Sequence, residues 1–416
     1  MSHSSIQLTH PTKKITGTVQ LTGSKSESNR ALIIQALSNG KVHIANLSEA
    51  DDTVLLTQAI ATATQSSSEQ TVIDIGPAGT AMRFMTSYLN LLSGDFILTG
   101  TERMQQRPIG ILVDALKEIG ADIHYKAKTG FPPLHIEGKL FQSKDTVKIK
   151  GNISSQYISS LLLIAASLKK GLTLEIEGEL TSRPYVTMTL NMLEEVGIQH
   201  SWVDHQIQIL PQQAKETTLY IEPDWSAASY WYAMVALSQE GEIRLPGLKR
   251  NSLQGDIAIA DIMTHFGVET VFEDQGILLK KIAVSFDKTL FDFKECPDLA
   301  QTVVVVAAAL RKNVSFTGLE TLKIKETDRI AALQNEIGKF GAILTEDNEV
   351  YHLDSSQVVE LAKISIATYE DHRMAMAFAP LALVFDTIQI EEPQVVEKSY
   401  PAYWEHLRQQ DFDVQH

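Results

Sequence analysis

The sequence predicts an α/β protein of two domains, each assembled from three copies of one small folding unit. Three observations carry that prediction. An apolar helix-like run, a short polar or glycine turn and a β-like segment recur six times in the 416 residues. The copies are spaced almost evenly. Within them a second pattern, helix, glycine, strand, recurs too.

The apolar runs with their β-like segments are ALIIQALSNGKVHIANL (31–47), RFMTSYLNLLSGDFILTG (83–100), YISSLLLIAASLKKGLTLEIEG (157–178), ASYWYAMVALSQEGEIRLPG (228–247), TVVVVAAALRKNVSFTG (302–318) and MAMAFAPLALVFDTIQIEE (374–392). Equivalent turn positions fall at Val42, Phe96, Thr173, Ile243, Val314 and Ile388, with gaps of 54, 77, 70, 71 and 74 residues. The second pattern is read in LVDALKEIGADIHY, LNMLEEVGIQHSW, IADIMTHFGVETVF and LQNEIGKFGAILTE, and in truncated form in YWEHLRQQDFDV. Each copy therefore reads as β-α-β-α-β-β, with helices packed under sheets. The short first gap predicts that the first copy lacks about 20 residues, a strand pair at ~10 residues each. EPDWS (222–226) separates the third copy from the fourth and is the expected hinge. ATATQSSSEQ (61–70) is expected to be a polar loop.

A chain this long exceeds one hydrophobic core, so two domains of about 200 residues are natural. Hydrophobic residues at 44% and charged residues at 21% are those of a globular protein. Against 51 acidic residues stand 36 Lys and Arg, a net charge of −15, which argues against general nucleic-acid binding. Anionic small molecules remain eligible where cations gather locally. The single cysteine, Cys296, excludes an internal disulfide and any multi-cysteine metal site. Its residue type reads as a small buried side chain. MSHSSIQLTHPTKK has no apolar signal core, and no run suffices to span a bilayer, so a cytoplasmic location is expected.

Polar residues stand before every apolar run: Lys25, Ser26 and Arg30; Gly76 to Arg83; Ser154, Ser155 and Gln156; Asp224, Trp225 and Ser226; Pro297 and Asp298; Asp371, His372 and Arg373. Helix N-termini offer unpaired N–H groups and a positive dipole end, and so hold anions. Simple N-capping accounts for the Ser, Asp and Gly residues. It does not account for Lys25, Arg30, His372 and Arg373, whose charge opposes the dipole and needs an anion. Further cations lie in loops: Arg103 and Arg107, then Lys323, Lys325 and Arg329 in LKIKETDR, then Lys398. Arginine grips carboxylates and phosphates through paired hydrogen bonds, and lysine acts as a point charge. A solvated surface, or for KETDR a salt-bridged helix start, is the alternative. Glu326 and Asp298, set among these cations, are the candidates for proton transfer, with His372 a weaker one.

Taken together, GSKSESNRAL, AGTAMR, RMQQRPIGILVDAL, SSQYISSLLL, SRPYV, PDLAQT, KIKETDR, YEDHRMAMAFA and KSYPAYW resemble the 3-phosphoshikimate 1-carboxyvinyltransferase (EPSP synthase) family of the shikimate pathway, from about residue 12 to about 410. The resemblance implies an inverse α/β barrel in each domain, three βαβαββ units about a pseudo-threefold axis. With the repeats it puts one domain at 22–224 and the other at 1–21 with 225–416, with hinges near 21–23 and 222–226. It implies a monomer needing no metal or cofactor, and two small-molecule substrates, shikimate 3-phosphate and phosphoenolpyruvate.

The implied shikimate 3-phosphate ligands are Lys25, Ser26, Arg30, Ser154, Ser155, Gln156, Ser182, Tyr185, Asp298, Thr321 and Lys325. The implied phosphoenolpyruvate ligands are Lys25, Gly79, Arg107, Gln156, Arg329, His372, Arg373 and Lys398. Lys25, Asp298 and Glu326 are the implied catalytic groups, Asp298 as proton acceptor and Glu326 as donor to the methylene carbon. The implied reaction is addition then elimination: the 5-hydroxyl attacks C2 while C3 is protonated, and the ketal-phosphate then loses phosphate and a C3 proton.

The chain departs from the family pattern at Pro77 (usually Asn), Phe84 (usually Pro) and Thr321 (usually Asn). Pro77 removes a side-chain amide and a backbone donor. Gly79 keeps room for glyphosate, the family's inhibitor, so inhibition by it is expected, with Pro77 and Phe84 placed to reshape that wall. UDP-N-acetylglucosamine enolpyruvyltransferases share fold and donor but would have Lys-Asn in place of Lys25-Ser26, and a loop cysteine. A non-catalytic anion-binding paralogue and a nucleic-acid-end processing protein are the remaining alternatives.

Overall fold

A helix apolar on all sides is stable only where every side is covered. The run Ala300–Ala309 (AQTVVVVAAA) is buried along its whole length in the computed structural model, which describes residues 4–65, 70–152, 154–285 and 287–415. Four consecutive β-branched valines have a poor intrinsic helix preference. Val303 to Val306 are each fully buried, and that burial is worth about 1.5 kcal/mol or more per side chain, which outweighs the propensity cost.

The chain divides into two compact modules, an inserted one (Gly23–Ile221) and a flanking one (Met1–Thr22 with Glu222–His416). Strands β1 (Ser5–Thr9) and β2 (Lys14–Thr18) open the flanking module. The inserted module begins with helix α1 (Lys25–Leu37), β3 (Val42–Ala45) and α2 (Asp51–Thr64). Its next copy runs β4 (Thr71–Asp74), α3 (Gly79–Tyr88), β5 (Asp95–Thr99), α4 (Glu102–Gln105), α5 (Gly110–Glu118), β6 (Asp122–Tyr125) and β7 (Leu134–Glu137). The third runs β8 (Thr146–Lys150), α6 (Ser155–Ala165), β9 (Leu172–Glu177), α7 (Arg183–Glu195), β10 (Ser201–Val203) and β11 (Gln206–Ile209), and β12 (Thr217–Tyr220) ends the module.

Back in the flanking module come α8 (Trp225–Leu237), β13 (Glu240–Pro246), α9 (Ile259–Thr264), β14 (Val268–Glu273) and β15 (Gly276–Lys281). Then follow β16 (Leu290–Asp292), α10 (Ala300–Ala309), β17 (Val314–Thr317), α11 (Arg329–Gly338), β18 (Ile343–Asp347) and β19 (Val350–Asp354). The last copy is β20 (Lys363–Ile366), α12 (His372–Phe378), β21 (Thr387–Glu391), α13 (Tyr403–Arg408) and β22 (Asp413–Gln415).

One sheet order is repeated: β4-β5-β7-β6, β8-β9-β11-β10, β2-β13-β15-β14, β16-β17-β19-β18 and β20-β21-β1-β22. In each, the first two strands are parallel and the rest antiparallel. The sixth sheet has only β12 and β3, in parallel, so the short first copy lacks the strand pair its spacing predicted. The truncated C-terminal copy is completed by the N-terminus: β1 takes the missing place between β21 and β22. In the flanking module α8, α10 and α12 pack on one another, and in the inserted module α1, α3 and α6 do the same.

The loop expected at 61–70 is partly helix. Ala61 to Thr64 form the last turn of α2, where alanines favour helix and the Thr62 and Thr64 hydroxyls bond back to the Gln58 and Ile60 carbonyls. Residues 66–69 lie outside the described residues.

Candidate active site

In the inserted module the site residues sit at the N-terminal ends of α1, α3, α6 and α7. Ser24 caps α1 and starts the turn that carries Lys25 and Ser26. Lys25 Nζ lies 3.1 Å from Oδ2 of Asp52, a buried residue in the first turn of α2. The other oxygen, Oδ1, has no hydrogen-bond partner among the described residues. The anion that the cation at this helix start requires is thus a carboxylate of the same module.

Arg30 is answered differently. It is buried, and its guanidinium donates to neutral acceptors: Thr189 Oγ1 at 2.7 Å, the Ser26 carbonyl at 2.8 Å, Ser159 Oγ at 3.1 Å and the Tyr185 carbonyl at 3.2 Å. Burial is the main influence on it and brings its pKa down to about 10. It remains protonated and ties the start of α1 to α7. The Phe84 ring lies 5.6 Å under the guanidinium carbon. Phe84 is itself fully buried, so this departure supports Arg30.

Gly79 opens α3 with the Arg107 guanidinium against it. A Cβ at Gly79 would come within 2.7 Å of Arg107 Nη1. Arg83 holds the Arg107 loop in place by donating to the carbonyls of Gly79 (3.1 Å) and Pro108 (3.2 Å). Gln156 Nε2 reaches Thr80 Oγ1 at 3.2 Å and joins the start of α6 to that of α3. Ser154 caps α6, Ser155 is buried beside it, and Ser182 is held in a left-handed conformation (φ 53°) at the start of α7.

In the flanking module three carboxylates and four cations interlock. Arg329, the first residue of α11, donates through Nε to Asp371 Oδ2 (2.7 Å), through Nη1 to Asp298 Oδ1 (3.2 Å) and through Nη2 to Glu326 Oε2 (3.0 Å). Arg373 Nη2 donates to Asp298 Oδ2 (2.8 Å) and Nη1 to the Tyr230 hydroxyl (3.2 Å). Lys398 Nζ donates to Glu326 Oε1 (3.0 Å), and Lys325 Nζ lies 3.8 Å from Asp298 Oδ1. His372 is buried with Nδ1 3.6 Å from Asp371 Oδ1. The Thr321 hydroxyl is buried with no hydrogen-bond partner among the described residues. KETDR is indeed a helix start: Asp328 caps α11 by accepting from the N–H groups of Ile330 and Ala331.

Burial alone would raise the Asp298 pKa, but Arg373, Lys325 and Arg329 together hold it well below the usual carboxylate range. Burial works against the charge on Arg329, yet Asp371, Glu326 and Asp298 carry its pKa above the ordinary arginine value. Nearby, Asp256 accepts a short hydrogen bond from Ser226, whose hydroxyl also lies 3.4 Å from Arg373 Nη2. Burial, reinforced by the charge of Asp298, raises the Asp256 pKa to about 7. Burial also raises the Cys296 thiol, in line with its expected role as a small core residue.

Two further cations are on the surface. Lys323 pairs with Glu346 on the surface at 2.7 Å, and Arg103 is exposed on α4. Sequence reasoning missed Asp52, Asp256 and Tyr230 as partners, and took Asp371 only as a cap. Asp52 carries no signal beyond being the second acid of a helix start, and Tyr230 hides in an apolar run. Among the described residues no group of three His, Cys, Asp or Glu is placed to hold a metal ion. No helix there is long and apolar enough to cross a membrane.

The family model of EPSP synthase (3-phosphoshikimate 1-carboxyvinyltransferase) matches residues 9–407. A 3-phosphoshikimate 1-carboxyvinyltransferase of Bacteroides fragilis is 50% identical over 403 residues, covering 96% of this chain and 97% of that protein. A protein of the same name from Vibrio atlanticus is 36% identical over 426 residues, covering 96% and 97%. In three dimensions an EPSP synthase from Acinetobacter baumannii superposes with a TM-score of 0.82 at 19% identity, over 99% of this chain and all of that one, which speaks for the fold. By motif order, repeat architecture and full-length similarity, the chain belongs to the EPSP synthase (3-phosphoshikimate 1-carboxyvinyltransferase) family.

Proposed function

We propose that the protein transfers the enolpyruvyl group of phosphoenolpyruvate to the 5-hydroxyl of shikimate 3-phosphate, releasing phosphate. The observation that carries this reading is the arrangement of Asp298 and Glu326 on separate nitrogens of one buried arginine, Arg329, each carboxylate held by a second cation, Arg373 or Lys398. A reaction that protonates one carbon and deprotonates one hydroxyl needs two carboxyl groups in different states.

The cations explain how the states are set. While Arg373 and Arg329 face Asp298, it stays ionised and is a weak base. An anionic substrate that engages the same guanidiniums divides their charge, so Asp298 becomes more basic where a proton must be taken up. Glu326, between Arg329 and Lys398, is the donor to C3 in this reading. We assign phosphoenolpyruvate to Arg329, Arg373, Lys398, His372, Gly79, Arg107, Gln156 and Lys25. We assign shikimate 3-phosphate to Lys25, Ser26, Ser154, Ser155, Gln156, Ser182 and Tyr185, with Asp298, Thr321 and Lys325 on its ring hydroxyls. We assign Arg30 to shikimate 3-phosphate too, and its four hydrogen bonds to protein also fix Ser26 and Tyr185. We assign the chain crossings near 21–23 and 222–226 as the hinge. A cytoplasmic monomer acting without metal or cofactor completes the proposal.

Phosphate release tests it. Release that needs both shikimate 3-phosphate and phosphoenolpyruvate supports the reading. Release with UDP-N-acetylglucosamine as acceptor would move the protein to the sister activity, and no release with either acceptor would leave a binding protein.

A further inference from the structure

Just before Asp371 the backbone does something costly. Tyr369 and Glu370 are consecutive non-glycine residues with φ of 55° and 57°. Each left-handed residue with a side chain is disfavoured and persists only where its surroundings enforce it. The turn these two form joins β20 to α12 and aims Asp371, His372 and Arg373.

Glu336 reaches this turn from α11. It lies seven residues after Arg329 on α11, two turns along the same face. Its side chain is 1% exposed. Oε2 accepts from the N–H of Ala367 (3.1 Å), and Oε1 accepts from the hydroxyl of Tyr369 (2.8 Å). Lys339 neutralises it at 2.6 Å and donates as well to the Ser365 carbonyl at 2.8 Å. One helix thus grips both ends of the turn, through Arg329 on Asp371 and through Glu336 on Ala367 and Tyr369.

We propose that Glu336 and Tyr369 are positioning residues for the reaction: they brace the left-handed turn 367–371 and so hold Asp371 and Arg373 where Arg373 meets its anionic ligand. The proposal rests on the assignment of Arg329 and Arg373 to phosphoenolpyruvate. Without the brace the turn relaxes, and the guanidinium of Arg373 loses its fixed aim. The loss falls on phosphoenolpyruvate, because Ser26, Ser154 and Ser182, which are assigned to shikimate 3-phosphate alone, belong to other elements.

The test is steady-state kinetics of the whole protein carrying Tyr369→Phe, which removes only the hydroxyl, and Glu336→Gln. The expected result is a KM for phosphoenolpyruvate raised about tenfold in both, with kcat within threefold of wild type. Adding Glu370→Gly to Tyr369→Phe supplies a residue at ease with positive φ and should recover at least half of that loss. An unchanged KM in Tyr369→Phe overturns the proposal, and so does a lower melting temperature without a change in KM. If Glu336→Gln does not fold, Tyr369→Phe decides. A wild-type protein that releases no phosphate points instead to failure of the assigned function.

Discussion

Arg373 donates from Nη2 to Oδ2 of Asp298 at 2.8 Å. The pair joins residue 298, before α10, to the first turn of α12, two places in the chain that sequence alone leaves 75 residues apart. It makes Asp298 a charged group with its basicity held back, and it makes Arg373 a cation whose partner a substrate can replace.

Asp298→Asn should keep the shape and remove the base. Turnover is expected to fall by about 10²–10⁴, the usual contribution of a general base. The KM for phosphoenolpyruvate should change far less, since both arginines remain. Steady-state rates at saturating shikimate 3-phosphate check this, and a variant within threefold of wild type would remove Asp298 from the chemistry.

Lys25→Ala and Glu326→Ala should each cut turnover by roughly 10² or more; the melting temperature of Glu326→Ala should stay within about 4 °C of wild type, as suits a loss of about 1 kcal/mol or less, while that of Lys25→Ala should fall further. Glu326 is partly exposed and its partner Arg329 keeps Asp371 and Asp298, whereas Lys25→Ala takes the ammonium away from the buried Asp52 carboxylate. Calorimetry beside a rate assay separates the two effects. Wild-type rates in both variants would show that these roles are misassigned.

Gly79→Ala sets a methyl group within 2.7 Å of Arg107 Nη1. The guanidinium is the far end of a flexible side chain, so it moves and the fold is spared. The expected outcome is a KM for phosphoenolpyruvate raised about tenfold, equal to about 1.4 kcal/mol, with an unchanged melting temperature. An unaltered KM would take Arg107 out of the donor set.

Asp256 makes stability depend on pH. Its pKa is raised, so the native state keeps a proton between the unfolded value near 4 and about 7. There the folded chain binds more protons than the unfolded one, and stability falls as pH rises, by at most ~1.4 kcal/mol per unit. The contribution is complete below pH ~4 and lost above about 7. Asp256→Asn cannot titrate, so its melting temperature relative to wild type should climb between pH 5 and pH 8. Parallel curves would contradict the assignment.

The fold was legible because the repeat is carried by elements that burial dictates. Val42, Phe96, Thr173, Ile243, Val314 and Ile388 all fall on the second strand of their copies, and the missing strand pair of the first copy was readable from spacing. Lys25, Arg30, His372 and Arg373 were legible because charge at a helix N-terminus is anomalous, and the loop cations were legible from the family motifs. Of their anions, Asp298 and Glu326 were legible and the others were not. Asp52 and Asp371 look like ordinary helix-start acids, and Asp256 lies in a stretch with no pattern of its own. Which acid meets which base is decided by tertiary packing, as with Arg329 and Asp371, 42 residues apart. Residues 61–64 were misread because threonine hydroxyls that serve a loop can equally bond back within a helix.

The most direct measurement follows the hydrogen at C3. Shikimate 3-phosphate and phosphoenolpyruvate incubated with the protein in D₂O should give one inorganic phosphate per enolpyruvyl ether, with deuterium in the vinyl methylene of the product by proton and mass spectra. That label requires C3 to be protonated from the medium and deprotonated again, as addition and elimination demand. Phosphate release with no ether, or an ether with its methylene wholly unlabelled, would contradict the account.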